Sequence, residues 1–280
     1  MQLIADSGST KTSWRLVKSR NDVKKAATIG YNPHYFTTEK MEASLIAHLL
    51  PQLNTSTEEI KEIYFYGAGC SSPISNKIVE DAFKSIFKHA IIDVDHDLLG
   101  AARALCGKDP GIAGILGTGS NSCSFNGVNI IDNITSLGFM LGDEGSGASL
   151  GRKLVQAFFY RDLPKDISEK FYDTYKMDKD TIFHNVYKST MPSRYMAQFS
   201  KFLSQNIEHP AIYDLVKAEM NRFVDTQIAK YENVDKLPVH LLGSVAFHFS
   251  DIIQTIFDER GYTLGRIVRE PIETLVDYHN

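Results

Sequence analysis

Two glycine-containing turns with similar flanking residues restrict the chain to a fold that contains the same hairpin twice. Residues 3–14 (LIADSGSTKTSW) align with residues 114–125 (GILGTGSNSCSF) at a constant offset of 111 residues, so that Gly8 falls on Gly119. Each segment has an apolar run, a turn rich in glycine and hydroxyl side chains, and a second run, as in a β-hairpin. Chance similarity between two ordinary hairpins is the alternative. The pair favours a chain built from two related halves.

The first half of the chain alternates strand-like and helix-like patterns. Short β-like runs bounded by turn residues predict strands at residues 2–5, 13–17, 62–66, 90–94 and 111–116. Apolar residues at helical spacing predict helices at residues 39–50, 75–87 and 98–106. Because strands precede helices repeatedly, this half is predicted to have α/β layers.

The second half is richer in predicted helix. Helical spacing covers residues 148–160, 166–175, 180–187, 194–206, 211–231, 245–257 and 271–279, and a single strand is predicted at residues 238–242. A length of 280 residues suits two domains. The turn-rich segment 107–111 separates two apolar segments, so we expect domains at residues 1–107 and 108–280. The final helix is the one element that could pack on the first domain instead.

Composition excludes several classes of partner. The 30 Lys and Arg residues against 34 Asp and Glu residues give a net charge of −4 without a block of like charge, so nucleic acid is not expected to bind. No apolar run is long enough to span a membrane, and the first residues lack the pattern of a signal peptide. The three cysteines are far apart, as suits a reducing compartment. These features predict a cytoplasmic protein without a membrane partner.

Glycine turns in three places are suited to bind phosphate. Glycine lets the backbone approach a ligand closely, and converging N–H groups bind phosphate oxygens. Residues 6–12 (DSGSTKT), 117–122 (GTGSNS) and 242–245 (LGSV) have this character. None is a Walker loop, and Ser122 stands where the dinucleotide fingerprint requires its third glycine. Two hairpins that face one another are therefore predicted to hold a triphosphate.

Two aspartates at strand ends are candidates for chemistry. Asp6 precedes the first turn, where a carboxylate could hold Mg²⁺ through water; the alternative is a turn residue that accepts bonds from backbone amides. Asp97 is the third of three alternating aspartates, and Leu98 and Ala104 stand where a calcium loop needs Gly and Glu. Asp97 is predicted to cap the N-terminus of the helix that follows.

The order of the motifs Asp6-x-Gly8-x-Thr10, Gly117-Thr-Gly-Ser-Asn, Gly142-Asp-Glu-Gly-Ser and Gly243-Ser resembles the actin, hexokinase and heat-shock ATPase superfamily. Within it, the chain is most similar to N-acetylglucosamine kinases and BadF/BadG/BcrA/BcrD-type ATPases, over residues 2 to about 276. The resemblance implies an α/β fold with two RNase H-like (actin-like ATPase) domains around an ATP cleft, the second domain being helix-rich.

The resemblance also implies roles for individual residues. ATP with Mg²⁺ is the expected cofactor, and Asp6 is the expected magnesium residue. In N-acetylglucosamine kinases the catalytic aspartate lies in an Asp-x-x-Gly segment about twenty residues before Gly-Thr-Gly-Ser, which assigns the general base to Asp97. The residues expected to contact the nucleotide are Asp6, Gly8, Ser9, Thr10, Lys11, Thr12, Gly117, Thr118, Gly119, Ser120, Gly243 and Ser244. Those expected to contact the sugar are Asn32, Asp97, Thr118, Gly119 and Asp143.

These expectations describe a kinase that phosphorylates the 6-hydroxyl of N-acetylglucosamine, as a monomer or a homodimer. Two other classes compete. Activator ATPases of the same family bridge an iron–sulfur cluster across a dimer, and Cys70, Cys106 and Cys123 are available as ligands. The other class is a non-catalytic sugar or nucleotide sensor. Sugar-responsive repressors carry an N-terminal DNA-binding module. Because the strand before the first phosphate-binding turn is predicted to begin at residue 2, no room is expected for such a module.

Overall fold

The computed structural model of the chain describes residues 1–8 and 11–280. Contacts divide the chain into two compact units. Unit 1 comprises Met1–Lys108, Gly127–Asn129 and Glu270–Asn280, and unit 2 comprises Asp109–Asn126 and Ile130–Arg269. The division into functional domains at residues 1–107 and 108–280 stays a prediction.

Ten strands lie in the described residues, five in each unit's sheet. They are β1 (Gln2–Ser7), β2 (Lys11–Ser19), β3 (Asp22–Ile29), β4 (Glu62–Gly67), β5 (Ile91–His96), β6 (Pro110–Leu116), β7 (Ser120–Asn126), β8 (Ile130–Asp132), β9 (Val239–Leu242) and β10 (Leu264–Val268).

The α-helices of the described residues are α1 (Thr38–Ser44), α2 (Leu50–Leu53), α3 (Pro73–Ile86), α4 (Asp97–Cys106), α5 (Gly138–Leu141), α6 (Gly147–Tyr160), α7 (Lys165–Tyr175), α8 (Lys179–Tyr187), α9 (Pro192–Ala197), α10 (Ser200–Gln205), α11 (Pro210–Thr226), α12 (Ser244–His248), α13 (Ser250–Arg260) and α14 (Ile272–His279). A π-helix spans Leu45–Leu49, and 3₁₀ turns span Thr57–Glu59 and Ile228–Lys230. Across residues 1–8 and 11–280, no helix combines the length and apolar character needed to cross a membrane.

The two sheets have the same strand order and directions. Sheet 1 runs β3-β2-β1-β4-β5, and sheet 2, read from its other edge, runs β8-β7-β6-β9-β10. In each sheet the first three strands form an antiparallel meander, and the other two run parallel to the central strand. The α/β fold with two mixed sheets is therefore confirmed, and the repeated hairpin is the start of a repeated sheet.

Each sheet of this kind presents alternate residues to opposite faces. In unit 1, Leu3 and Ala5 face a core with Trp14, whereas Ile4 packs with Leu275 of α14 on the opposite face. In unit 2, strands β6 and β9 pack against a larger core supplied mainly by helices. The last helix, α14, thus belongs to unit 1.

Several predicted elements differ from the structure. The helices predicted at residues 194–206 and 245–257 are each two shorter helices, and the one predicted at 211–231 ends at Thr226. Between α12 and α13, Phe249 departs from helical backbone geometry (φ −115°, ψ 25°), and its ring is buried. Strands β3, β8 and β10 were not predicted. Residues 22–29 and 264–268 lack regular alternation of apolar and polar side chains, and residues 130–132 are too few to show it.

Gly151 permits a close crossing of two helices in unit 2, because a Cβ there would overlap the carbonyl oxygen of Met196 in α9. We expect Gly151→Ala to lower the free energy of unfolding by about 1–3 kcal/mol through overpacking. The control is Gln156→Ala, on an exposed position of the same helix, which should change stability by less than about 0.5 kcal/mol. Urea unfolding measures both variants, and equal stability of the two would contradict the packing argument.

Candidate active site

Asp6 and Asp97 lie at the same edge of sheet 1. Asp6 is the second-to-last residue of β1, next to the turn, and Asp97 directly follows β5. The parallel strand β4 lies between β1 and β5. Strands in a sheet are about 4.8 Å apart, so the two backbones are separated by roughly 10 Å. The carboxyl ends of parallel strands are the usual position of ligand sites in α/β sheets.

The carboxyl group of Asp6 has a perturbed pKa. Burial, followed by the charges of Asp97 and Glu270, raises this pKa to about 7 against an opposing effect of Lys11. None of the hydrogen bonds among the described residues involves the Asp6 carboxylate. Glu270 was not predicted as part of this site; it follows β10 by two residues and nothing in its local sequence marks it.

Asp97 is the first residue of α4, and the prediction that it caps this helix is wrong. The cap is His96, whose Nδ1 accepts a hydrogen bond of 3.1 Å from the Leu99 N–H. Burial raises the pKa of Asp97, while the charge of His96 and the N–H groups of Leu98 and Asp97 oppose that rise. The Asp97 carboxylate therefore lies at the N-terminus of α4, but it does not cap this helix.

The described residues at the first hairpin turn form hydrogen bonds within β1, β2 and β3 of sheet 1. The Gly8 N–H donates to the Lys11 carbonyl at 3.0 Å. The Thr12 side chain is buried, and its hydroxyl contacts Ser7 Oγ at 2.7 Å and donates to the Ile29 carbonyl at 2.9 Å. The Thr12 side chain is therefore used within sheet 1, and the expected contact between Thr12 and the nucleotide stays a prediction. The predicted contacts Ser9 and Thr10 lie outside the described residues.

Asn32 is buried against the end of β4. Its Oδ1 accepts a 2.9 Å hydrogen bond from the His34 N–H, and the amide lies so close to Gly69 that a Cβ there would overlap Oδ1. Gly69 has φ +86°, which favours glycine. The Asn32 Nδ2 group donates to no atom of the described chain, so it is available to a ligand.

The second hairpin turn (residues 117–119) is docked on the first turn of α6. The carbonyls of Gly117 and Thr118 accept hydrogen bonds of 2.8 and 3.1 Å from the N–H groups of Gly147 and Ala148. The N–H groups of Thr118 and Gly119 have no acceptor among the residues that the structure describes. The Ser120 hydroxyl, which is buried, likewise lacks a partner there. The turn thus presents unused donors.

Asp143 lies directly over this turn. A Cβ on Gly119 would be 2.9 Å from Asp143 Oδ2. Oδ1 accepts hydrogen bonds from the Ser120 N–H at 3.2 Å and the Ser136 hydroxyl at 3.1 Å. Burial raises the pKa of Asp143, and the two donors oppose the rise. Sequence reasoning missed Ser136, because a serine in a loop carries no signal of its own.

Gly243 lies beside the second hairpin. Its φ is +120°, and a Cβ would overlap the Leu116 carbonyl oxygen. Ser244 begins α12 and borders a pocket of about 450 Å³ in unit 2. The pocket is lined by Ser200, Lys201, Ser204, Gln205, Ser244, Val245, His248, Phe249 and Arg269. Ser244 was predicted to contact the nucleotide, whereas the α10 residues that line this pocket were not predicted as site residues.

The three cysteines are buried, and none forms a disulfide. Burial raises the pKa of the Cys70 thiol to about 12, with smaller increases from Asp97 and Asp95. Iron–sulfur clusters are held by thiolates. In the described chain, no three His, Cys, Asp or Glu side chains are grouped to hold a metal. Because burial favours the protonated thiol of Cys70, this cysteine is poorly suited to act as a cluster ligand.

Comparison with known proteins gives one family match. The model of the BadF/BadG/BcrA/BcrD ATPase family matches residues 5–262. No curated protein sequence matches the chain at a significant level.

Solved structures with the same fold are found over the whole chain. One from Porphyromonas gingivalis, named "Putative N-acetylglucosamine Kinase", is 40% identical with a TM-score of 0.95, covering 100% of this chain and 98% of that one. A structure of the same name from Chromobacterium violaceum is 17% identical with a TM-score of 0.76, over 100% and 98%. An ROK family glucokinase from Streptomyces griseus, in complex with glucose and AMPPNP, is 11% identical with a TM-score of 0.55, over 98% of each chain. The last two establish the fold alone.

The raised pKa of Asp6 predicts a pH-dependent cost to stability. The folded chain keeps the proton up to about pH 7, whereas the unfolded chain loses it near 3.8, so wild-type stability falls between these values. Asp6→Asn removes that cost. We expect the stability gain of Asp6→Asn over wild type to be larger at pH 8 than at pH 5 by about 2.5 kcal/mol, from nearly two pH units at ~1.4 kcal/mol per unit.

Urea unfolding at both pH values, in EDTA, measures this difference. Asp6→Ser, which also lacks the charge but has a different shape, should reproduce the pH dependence of the gain. A gain that is the same at pH 5 and pH 8 for both variants would contradict the assigned pKa.

Proposed function

The chain belongs to the BadF/BadG/BcrA/BcrD ATPase family, and on that premise we propose that it is an ATP-dependent sugar kinase. The proposed reaction transfers the γ-phosphoryl group of ATP to the 6-hydroxyl of N-acetylglucosamine. The 40% identity to the Porphyromonas gingivalis protein and its name support this substrate. The observation that carries the proposal is the pair of carboxylates, Asp6 and Asp97, at one edge of sheet 1.

Asp97 is the proposed general base. It accepts the proton of the sugar 6-hydroxyl as that oxygen attacks the γ-phosphorus in line, and ADP leaves with the electron pair of the broken P–O bond. Its raised pKa supports this role, because a base is most effective when its pKa approaches the working pH. Because His96 accepts the capping hydrogen bond from the Leu99 N–H, the helix does not depend on Asp97 as its cap.

The second hairpin turn is the proposed phosphate-binding element of unit 2. The unused N–H groups of Thr118 and Gly119 suit phosphoryl or sugar oxygens, since fixed backbone donors stabilise developing negative charge without reorganisation. Gly243 packs against the Leu116 carbonyl just before this turn, and the next residue, Ser244, lines the neighbouring pocket. A nucleoside in that pocket would meet the hydroxyls of Ser200, Ser204 and Ser244 and the apolar Val245.

Magnesium fits the residues around Asp6. The Asp6 carboxylate has no hydrogen-bond partner among the described residues, and its pKa is raised by burial and by the negative charges of Asp97 and Glu270, which outweigh the effect of Lys11. Oxygen donors are the ligands that Mg²⁺ prefers, and it usually keeps several waters. Bound Mg²⁺ would neutralise charge on the phosphates. The contribution of the chain is Asp6, which would hold the ion through water.

Asp143 and Asn32 are the proposed sugar-binding side chains. Asp143 is oriented through Oδ1, which leaves Oδ2 for ring hydroxyls. Asn32 is oriented through Oδ1 by the His34 N–H, which leaves its Nδ2 as a donor that would suit the carbonyl of an N-acetyl group. Thr118 and Gly119 add backbone donors.

Substitution should separate the two carboxylates. Asp97→Asn keeps the size but removes the proton acceptor, so we expect kcat to fall by roughly 10²- to 10⁴-fold with little change in nucleotide affinity. Asp6→Asn should instead weaken Mg²⁺-ATP binding and raise the Mg²⁺ concentration required. Steady-state kinetics with the best sugar, and nucleotide titration, measure both effects. A folded Asp97→Asn protein with near-normal turnover would remove the proposed base.

Filling the unit 2 pocket should affect the nucleotide alone. We expect Ser204→Phe to raise the KM for ATP by about tenfold or more, equivalent to ~1.4 kcal/mol of lost binding, with the KM for sugar unchanged. Glu208→Phe, at an exposed position outside the lining, is the control. If Ser204→Phe binds ATP as wild type does, the nucleoside is bound elsewhere.

A further inference from the structure

A buried carboxylate in α11 lies behind the loop that carries Asp143. Glu219 is only 2% exposed. Its Oε1 accepts hydrogen bonds from the Gly145 N–H at 3.3 Å and from the Ser149 hydroxyl. Burying a charge is costly unless its hydrogen bonds repay the cost. An apolar residue would fill the same space in a helix core, so these hydrogen bonds are the distinctive contribution of Glu219.

The hydrogen bonds of Glu219 continue to the other side of the same loop. The Ser149 hydroxyl accepts a 3.2 Å hydrogen bond from Arg152, and the Arg152 guanidinium also donates to the Phe139 carbonyl at 3.0 Å. The chain Glu219-Ser149-Arg152 therefore links α11 and α6 to both flanks of Asp143. Since buried hydrogen-bonded networks reinforce one another, the three groups should act as a unit.

The Asp143 loop (residues 136–145, which include the short helix α5) needs this support because the backbone of Asp143 is strained. Asp143 has φ +58° and Gly145 has φ +73°, both in the left-handed region. A Cβ on Gly145 would be 2.6 Å from Cβ of Phe223, so α11 packs directly against this end of the loop. Residues in such conformations persist where the surrounding structure fixes them.

We propose that Glu219, through Ser149 and Arg152, is a positioning residue that fixes the Asp143 loop so that the Asp143 carboxylate is preorganised for the acceptor sugar. This inference rests on the proposed sugar kinase function for its substrate, but its structural part does not. Glu219 touches neither Asp143 nor any reacting atom; it acts by restraining the two flanks of the loop. Loss of the restraint weakens sugar binding rather than the chemical step.

The kinetic test compares three substitutions in the full chain. We expect Glu219→Leu to raise the KM for the best sugar by about tenfold, as for a lost charge-assisted hydrogen bond, with the KM for ATP and kcat at saturating sugar changed less than about threefold. Glu219→Gln keeps an acceptor oxygen and should recover most of the sugar KM. Met220→Ala, at the adjacent buried position of the same helix, controls for lost packing and should leave the sugar KM unchanged.

Hydrogen–deuterium exchange without ligand tests the restraint independently of activity. Glu219→Leu should speed exchange in residues 136–146, whereas Met220→Ala and Glu219→Gln should not. Unchanged exchange in Glu219→Leu would overturn the positioning role, as would an equal rise in the KM for sugar and ATP. If exchange responds as expected but the wild-type protein phosphorylates no sugar, the loop restraint stands and the proposed function fails.

Discussion

Close backbone packing around the second hairpin turn is the constraint on which the unit 2 site depends. Gly119 leaves room for the Asp143 carboxylate, and Gly243 lets the start of α12 approach the Leu116 carbonyl. The carbonyls of the turn are occupied by α6. A side chain at either glycine would separate these parts. The backbone donors proposed to bind phosphate, the carboxylate proposed to bind the sugar and the pocket proposed to bind the nucleoside are therefore held by one continuous set of contacts.

Unit 1 contains the buried carboxyl groups of Asp6 and Asp97, and their burial lowers the stability of the folded state. Burial and the negative charges of Asp97 and Glu270 raise the pKa of Asp6, and burial raises that of Asp97. Such groups are unfavourable for folding alone, and strongly perturbed carboxylates are concentrated at functional sites. The arrangement suits a reaction that needs one proton acceptor and one carboxylate near bound phosphate, and the proposed kinase chemistry uses both.

Features that depend on local sequence patterns could be predicted from the sequence, whereas features that depend on contacts between distant residues could not. The Asp6 and Gly119 turns, and the first strands of both sheets, follow from short apolar runs and glycine spacing. His96 took the capping role assigned to Asp97, because a histidine nitrogen can accept the same hydrogen bond. Glu219 lies 70 residues from Ser149 in the chain, and nothing in a helical pattern distinguishes a buried glutamate from an exposed one. Long-range polar contacts of this kind require the fold.

The most direct test of the central claim is a measurement of ADP release by the wild-type protein, with Mg²⁺-ATP and a panel of amino sugars, hexoses or no sugar. Mass spectrometry of the reaction mixture identifies the phosphorylated product. The account predicts release that depends on sugar, is fastest with N-acetylglucosamine, and yields one sugar monophosphate per ADP. Equal ADP release with and without sugar, or no release with any sugar, would contradict it.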